Sequence, residues 1–410
     1  MTKYTINLLV FFILISLNAI AQTGPGGVGS TDGTSDLVLW LDADKGANTN
    51  TTWKDQSGNG FDFSGSGATL NSNGVNNYSA FNFNGANNYF EKSFEPTLNP
   101  EEFSVFSASK VLASSNNKTI LSSIEERVTG SNIKEKGFLL LALPSTNYWS
   151  YWTGEDHPSQ DWNKLNSSIS TVDTWSIQEI VISQSKELFV DNYSYSSKGA
   201  VVFGLAGNGN GNGNGNGNGN GNGNGNGNGN GNGNGNGNGN GNGNGNGNSN
   251  GNGGFTPNSN KPFKVGAGLS QSSGDDYFKG DIGEVIMFST PVNSAQRIIV
   301  NNYLAAKYSI SIDSDYYTQD NSGNGDFDHN VAGIGKVDSN NHHLDSQGTG
   351  IIRISKSNLA DDKFLFWGEN NKNATYSFTS SYGEDCYDYI DTMWRVSEHN
   401  PINNKLRMRI

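Results

Sequence analysis

The sequence predicts an all-β chain: an antiparallel jelly-roll β-sandwich with one C-terminal helix, followed by a second, incomplete β-rich module. Three observations carry this. Short runs rich in Val, Ile, Phe, Tyr and Trp recur along the chain. Clusters of Gly, Asn and Ser separate them, as turns separate the strands of a sandwich. One stretch alone, after Pro291, repeats its apolar residues at helical spacing.

The elements follow in order. Lys3, the apolar run Leu8–Leu17 and the small-x-small motif Ala19-Ile20-Ala21 read as a signal peptide over residues 1–21. That run is too short for a comfortable membrane span. Residues 22–34 are polar and Gly-rich and are expected to form a flexible leader. The sandwich is placed at residues 35–312. Its strand-like runs include Leu37–Leu41, Ala80–Phe83, Phe103–Val111, Lys118–Ile124, Gly137–Leu143, Tyr148–Trp152, Ile177–Ile182, Phe263–Val265 and Ile282–Phe288.

Between Phe203 and Phe263 lies a Gly-Asn tract, residues 207–254, which has no apolar surface to bury and is expected to be a disordered loop. Loop closure costs only about 0.6 kcal/mol per doubling of length, so the fold can carry it. Pro291-Val292-Asn293-Ser294 then offers a turn with capping residues. Ala295, Ile298, Ile299, Tyr303 and Ala306 follow at steps of three and four. Residues 313–410 form the second module. Its last run alternates Leu406, Met408 and Ile410 with Lys405, Arg407 and Arg409, a strand expected to bury one face. Because the sequence stops inside that strand, the module is expected to lack partner strands.

Composition narrows the function. A net charge of −13 argues against nucleic acid and anionic membrane surfaces. The single cysteine, Cys386, excludes an intramolecular disulfide and lies between acidic residues, which disfavour its thiolate. No P-loop, HExxH motif or zinc-type cluster occurs, and His342-His343 alone makes no metal site.

Leu39-Trp40-Leu41-Asp42-Ala43-Asp44 and Trp53-Lys54-Asp55-Gln56-Ser57-Gly58-Asn59-Gly60 resemble the opening of laminin-G-like, concanavalin A-like domains of secreted bacterial proteins. Gly280-Asp281-Ile282-Gly283-Glu284-Val285-Ile286 and Tyr303-Leu304-Ala305-Ala306-Lys307-Tyr308 resemble their closing strand and helix. Ala332-Gly333-Ile334-Gly335, with Asp338 and Gln347, resembles an uncharacterised β module that often follows them. The resemblance implies a cell-surface or secreted protein, of a type commonly exported through type IX secretion. It says little of ligand, because such folds host lectins, adhesins, spacers and glycosidases.

Two candidate sites emerge. Asp55 and Asn59 lie in a turn that brings oxygen ligands together, as calcium needs, and the resemblance adds Asp281 and Glu284 near the closing strand. Asp320–Asp328 begins like an EF-hand loop but has Val331 where the bidentate Glu should be. The segment Asn147–His157 with Trp162 is the densest aromatic and polar cluster. Alternation puts Trp149 and Tyr151 on one face and Tyr148 and Trp152 on the other. Trp152, Asp156, His157 and Trp162 are the candidates to contact a polysaccharide or cell-surface glycan, by stacking and hydrogen bonding.

No catalytic residues are assigned. The strand of closely spaced carboxylates that laminarinase-like enzymes use is missing, and Asp281 and Glu284, three apart, would face opposite sides of a regular strand. The expected function is a non-catalytic extracellular adhesion or carbohydrate-binding module, possible calcium included as a structural ion. A structural spacer and a glycoside hydrolase are the alternatives.

Overall fold

The computed structural model describes residues 22–129, 132–156, 162–183, 185–199, 255–268, 276–372, 392–402 and 407–409. His157, Cys386, Leu406, Ile410 and the Gly-Asn tract lie outside them. Among the described residues the architecture is nearly all β with a single α-helix, a sandwich of antiparallel sheets.

The first sheet runs, in spatial order, Tyr193–Gly199, Ser185–Val190, Trp175–Ile182, Phe103–Val111, Lys279–Phe288, Tyr78–Asn84 and Thr69–Val75. The opening strand Leu37–Asp42 pairs with the other half of the closing strand Lys279–Phe288. The second sheet runs Asn163–Ser170, Tyr148–Glu155, Asn132–Ala142, Lys118–Thr129, Phe263–Val265, Phe90–Lys92, Phe63–Gly65 and Thr52–Trp53. Between the sheets lies the main core, where alternate residues of facing strands meet: Leu39, Leu41, Phe103, Val105, Phe138, Leu140, Val285 and Met287. As alternation predicts, Trp149 and Tyr151 point into this core while Tyr148 is exposed and Trp152 half-buried.

Helix α1, Ser294–Tyr308, forms where its period predicts. Asn293 caps it: its side chain accepts from the backbone of Ala295 and Gln296, and the Gln296 side chain answers to the Asn293 N–H. The helix covers the outer face of the first sheet. Its Ile299, Tyr303 and Leu304 share one apolar cluster with Trp40, Phe106 and Ile286 of the sheet. Val331, Phe364 and Phe366 of the second module close the same cluster from the other side. The helix is therefore a middle layer, packed on both faces, and 12 of its 15 residues are buried.

The second module has a four-stranded sheet, His342–His343, His329–Lys336, Lys363–Glu369 and Trp394–His399, and a three-stranded one, Asp345–Ser346, Arg353–Ser355 and Arg407–Arg409. The last strand pairs as a strand but does not bury Met408, which is 59% exposed.

Residues 22–34, expected to be flexible, are instead built into the junction. Pro25–Gly27 form a buried 3₁₀ turn against α1. Gln22 O accepts from the N–H groups of Gln347 and Gly348, Gly27 O contacts His343 Nε2 at 2.9 Å, and Gly26 O accepts from Ser346 Oγ. The glycines that suggest flexibility are there because the turn needs them. Gly26 and Gly27 have φ of 66° and 85°, and Cβ atoms on them would meet Ile299 and Ser346.

Candidate functional site

The residues proposed for a cation do not gather. Asp55 accepts from Trp40 N, Ser57 N, Phe61 N and Ser57 Oγ, an Asx-type turn that pins the loop to the opening strand. Asn59 donates to Leu37 O and Val38 O. Asp281 pairs with Lys110 at 3.1 Å and accepts from Asn82. Glu284 lies on the helix side with partners of its own. Among the described residues no three of His, Cys, Asp and Glu are placed to hold a metal. Calcium at these positions would have to displace a full set of hydrogen bonds. In the Asp320 loop, Asn321 caps a 3₁₀ turn and Asp328 turns inward, so these oxygens serve the loop itself and the module junction.

The aromatic candidates are partly used by the fold. Trp162 is 7% exposed and packs with Leu139 and Leu141 on the outer face of the second sheet. Trp152 lies against it, ring centroids 6.5 Å apart, and carries Lys164 Nζ 4.2 Å from its ring centre. Asp156 pairs with Lys136 at 3.4 Å. The sheet thus brings Trp152 and Trp162 together, as the sequence suggests, but buries one and covers the other.

The polar residues that do converge lie where the sandwich, α1 and the second module meet. A β-bulge between Ile282 and Glu284 interrupts the closing strand. It turns both Gly283 and Glu284 toward the helix, so the regular alternation expected for Asp281 and Glu284 does not hold. Gly283 is required there, because a Cβ would fall 2.5 Å from the Tyr308 ring. Glu284 stands opposite Asp42 of the opening strand. Lys307, one turn after Tyr303 on α1, lies 2.6 Å from Asp42 Oδ2 and 2.7 Å from Glu284 Oε2.

All three side chains are sealed from solvent. Glu284 also accepts from Trp40 Nε1 at 2.6 Å, Tyr303 Oη at 3.1 Å and Tyr308 Oη at 3.0 Å. Burial, with Asp42 beside it, pushes the Glu284 carboxyl up against the opposing pull of Lys307. For Lys307 burial pulls down while the two carboxylates pull up, and the carboxylates prevail.

Next to this triad is a cavity of about 40 Å³, bounded by Asp44, Tyr78, Lys307, Asp328, His329 and Lys372. Lys372 bridges Asp44 at 2.7 Å, and Tyr78 Oη bonds His329 Nδ1. Burial holds His329 down at about 4 and raises Asp328 to about 7. Asp328 Oδ2 accepts from Asn76, while its Oδ1, 3.2 Å from His329 Nδ1, has no hydrogen bond in suitable geometry.

A larger groove of about 340 Å³ shares Lys45 and Thr349 with the cavity. Thr23 and Thr31 of the leader, Gln56 of the turn after the opening strand, and Gln347 and Thr349 of the second module line it. Trp40 forms part of its floor, with Lys45 Nζ 5.2 Å from the ring centre. Burial lowers Lys45 to about 8, partly offset by Asp42. Among the described residues no carboxylate lines this groove. Of the described lining residues Lys45 alone is charged, and although Trp40, Gln56 and Gln347 fall in the stretches that carry the family resemblance, the sequence did not mark the lining as a site. Its residues lie on segments more than 290 positions apart, and one of those segments was read as a flexible leader.

Among the described residues no helix is long and apolar enough to cross a membrane. No curated protein matches the chain. The binding domain of a paraclostridial mosquitocidal protein resembles it with a TM-score of 0.40 and 10% identity, over 65% of this chain and 52% of that one. A Trypanosoma rangeli sialidase resembles it with a TM-score of 0.38 and 11% identity, over 70% of this chain and 36% of that one. The chain thus spans about half of the first and about a third of the second. Residues 296–410 match a family model described as a domain of unknown function, DUF8202, which begins inside α1 and takes in the second module.

Proposed function

We propose that this chain is a non-catalytic, extracellular carbohydrate-binding module whose glycan site is the groove between the sandwich and the second module. The observation that carries this is the lining of the groove. Hydroxyls and amides of Thr23, Thr31, Gln56, Gln347 and Thr349 surround a space of about 340 Å³. That volume suits a small ligand. Such side chains both donate and accept, as a polyol requires. The fold we read as a laminin-G-like, concanavalin A-like jelly roll, supported by the pairing of opening and closing strands beneath a helix.

Export is supported by the signal-peptide pattern. Cleavage after Ala21 leaves Gln22, the first residue bonded into the junction, in place. A hydrolase reading is disfavoured by the carboxylate pair of the triad. Asp42 and Glu284 are both sealed and share Lys307, so neither can reach a glycosidic bond.

A polysaccharide panel tests the proposal, with binding measured by calorimetry and by retention on immobilised glycans. We expect one glycan class to bind, and Gln347→Trp, which puts an indole into the groove, to weaken that binding at least about tenfold without lowering Tm. Failure of the intact chain to bind any glycan leaves the spacer reading. That reading is favoured by the apolar cluster shared by sandwich, helix and second module.

A further inference from the structure

The triad has more order than a stabilising ion pair needs. A lone buried pair of charges gains little over apolar residues of similar volume, because desolvation offsets the attraction. Here a lysine and an aspartate meet end to end, a glutamate touches the lysine, and an aromatic shell shields them from bulk solvent. Lys307 Nζ lies 5.3 Å from the ring centre of Tyr308, 5.4 Å from Tyr78 and 5.6 Å from Tyr303. Trp40 closes the far side through its bond to Glu284. The three residues come from three elements: the opening strand, the bulge of the closing strand, and the helix. None lines the large groove.

We propose that Lys307 and Asp42 condense into an intramolecular isopeptide bond, with Glu284 as the proton relay. The chemistry balances without a co-reactant. In the ion pair the amine is protonated and the aspartate ionised. Glu284, 2.7 Å from Nζ, takes a proton from the ammonium, which frees the nitrogen lone pair. Burial penalises every charge in the triad, which lowers the cost of a proton transfer that the two carboxylates oppose. Glu284 passes that proton to Asp42 Oδ2, and Nζ then attacks Cγ of the neutral acid. The C–N bond forms, the C–Oδ2 bond breaks, and the departing oxygen leaves as water after receiving two protons that began on Nζ, carried by Glu284.

Elevation of the Glu284 carboxyl by burial suits a group that must hold a proton and give it back. The approach is pre-organised: Asp42 Oδ1 is held by the Asp44 N–H, and Oδ2 faces Nζ at 2.6 Å. The water has a route, because Lys307 and Tyr303 also border the 40 Å³ cavity, which has room for one to a few waters.

The product would fasten the opening strand to α1 across 265 positions of sequence. A chain with one cysteine and no possible internal disulfide would thereby gain a covalent cross-link.

Mass spectrometry of the purified full chain, denatured and reduced, tests this. We expect an intact mass one water below that of the processed sequence. A tryptic branched peptide should join the Asp42 segment to the Lys307 segment, with no cleavage after Lys307. A mass equal to the sequence, with separate linear peptides, overturns the bond. Glu284→Gln provides the second arm: it keeps the side chain's size and should fold, as near-ultraviolet circular dichroism will report, yet retain the missing water. A fully cross-linked Glu284→Gln protein overturns the relay.

Discussion

Gly27 packs on Ser346 so closely that a single added methyl would overlap the serine hydroxyl, and its φ of 85° is one that side chains avoid. These two residues, one in the leader and one in the second module, fix how the two parts meet. Gly27→Ala should lower stability by about 2 kcal/mol, from left-handed strain and the overlap together. Thermal unfolding followed by circular dichroism measures it. An unchanged Tm would mean the leader is not held in this turn.

Lys45 carries its charge at a cost, since burial lowers it to about 8. The groups around it are Asp42, Asp44, Glu284 and Lys307, the two lysines repelling each other. The unfolded chain holds this proton up to the normal lysine range, so between about pH 8 and 10.5 the unfolded state binds more protons than the folded one. Stability due to this residue therefore rises with pH across that window. Lys45→Met should raise Tm at pH 7 and remove that part of the rise. Parallel melts of both proteins from pH 7 to 10 decide it.

Asp328 behaves with the opposite sign. Its folded value, about 7, stands above the unfolded one, so the folded state holds the extra proton between about pH 4 and 7 and stability falls as pH rises. Glu179 and Asp191, also raised to about 7 by burial, act in the same direction. Asp328→Asn isolates one contribution. The amide oxygen can still accept from Asn76, and its nitrogen replaces the unbonded Oδ1. We expect it to gain about 1–2 kcal/mol at pH 8 and nothing at pH 4, as denaturant titrations at both pH values will show.

Trp152 separates the two locations considered for glycan contact. Its ring already lies under Lys164 and beside Trp162. Trp152→Ala should leave glycan affinity within about twofold while costing about 1–3 kcal/mol of stability from lost packing. A tenfold loss of affinity would return the site to the second sheet's outer face.

The sequence made the local elements legible and the meeting places much less so. Asn293 and the 295–306 period define α1, and two-residue alternation sorts Trp149 and Tyr151 from Trp152, because these signals act over a few residues. The triad spans positions 42, 284 and 307, and no local pattern links them. One clue was present: Lys307 continues the step of four through Ile299 and Tyr303, so a charge stands on the apolar stripe of the helix. The bulge at Gly283 was not legible because the Tyr308 ring that requires a glycine there comes from another element. The leader was misjudged because glycine signals flexibility and tight turns alike.

The bond from Gln347 N–H to Gln22 O joins positions more than 300 residues apart. Such a contact gives nothing until nearly all the intervening chain is available, and loop closure must be met before any reward arrives. The junction, and the groove it creates, should thus be among the last parts to assemble.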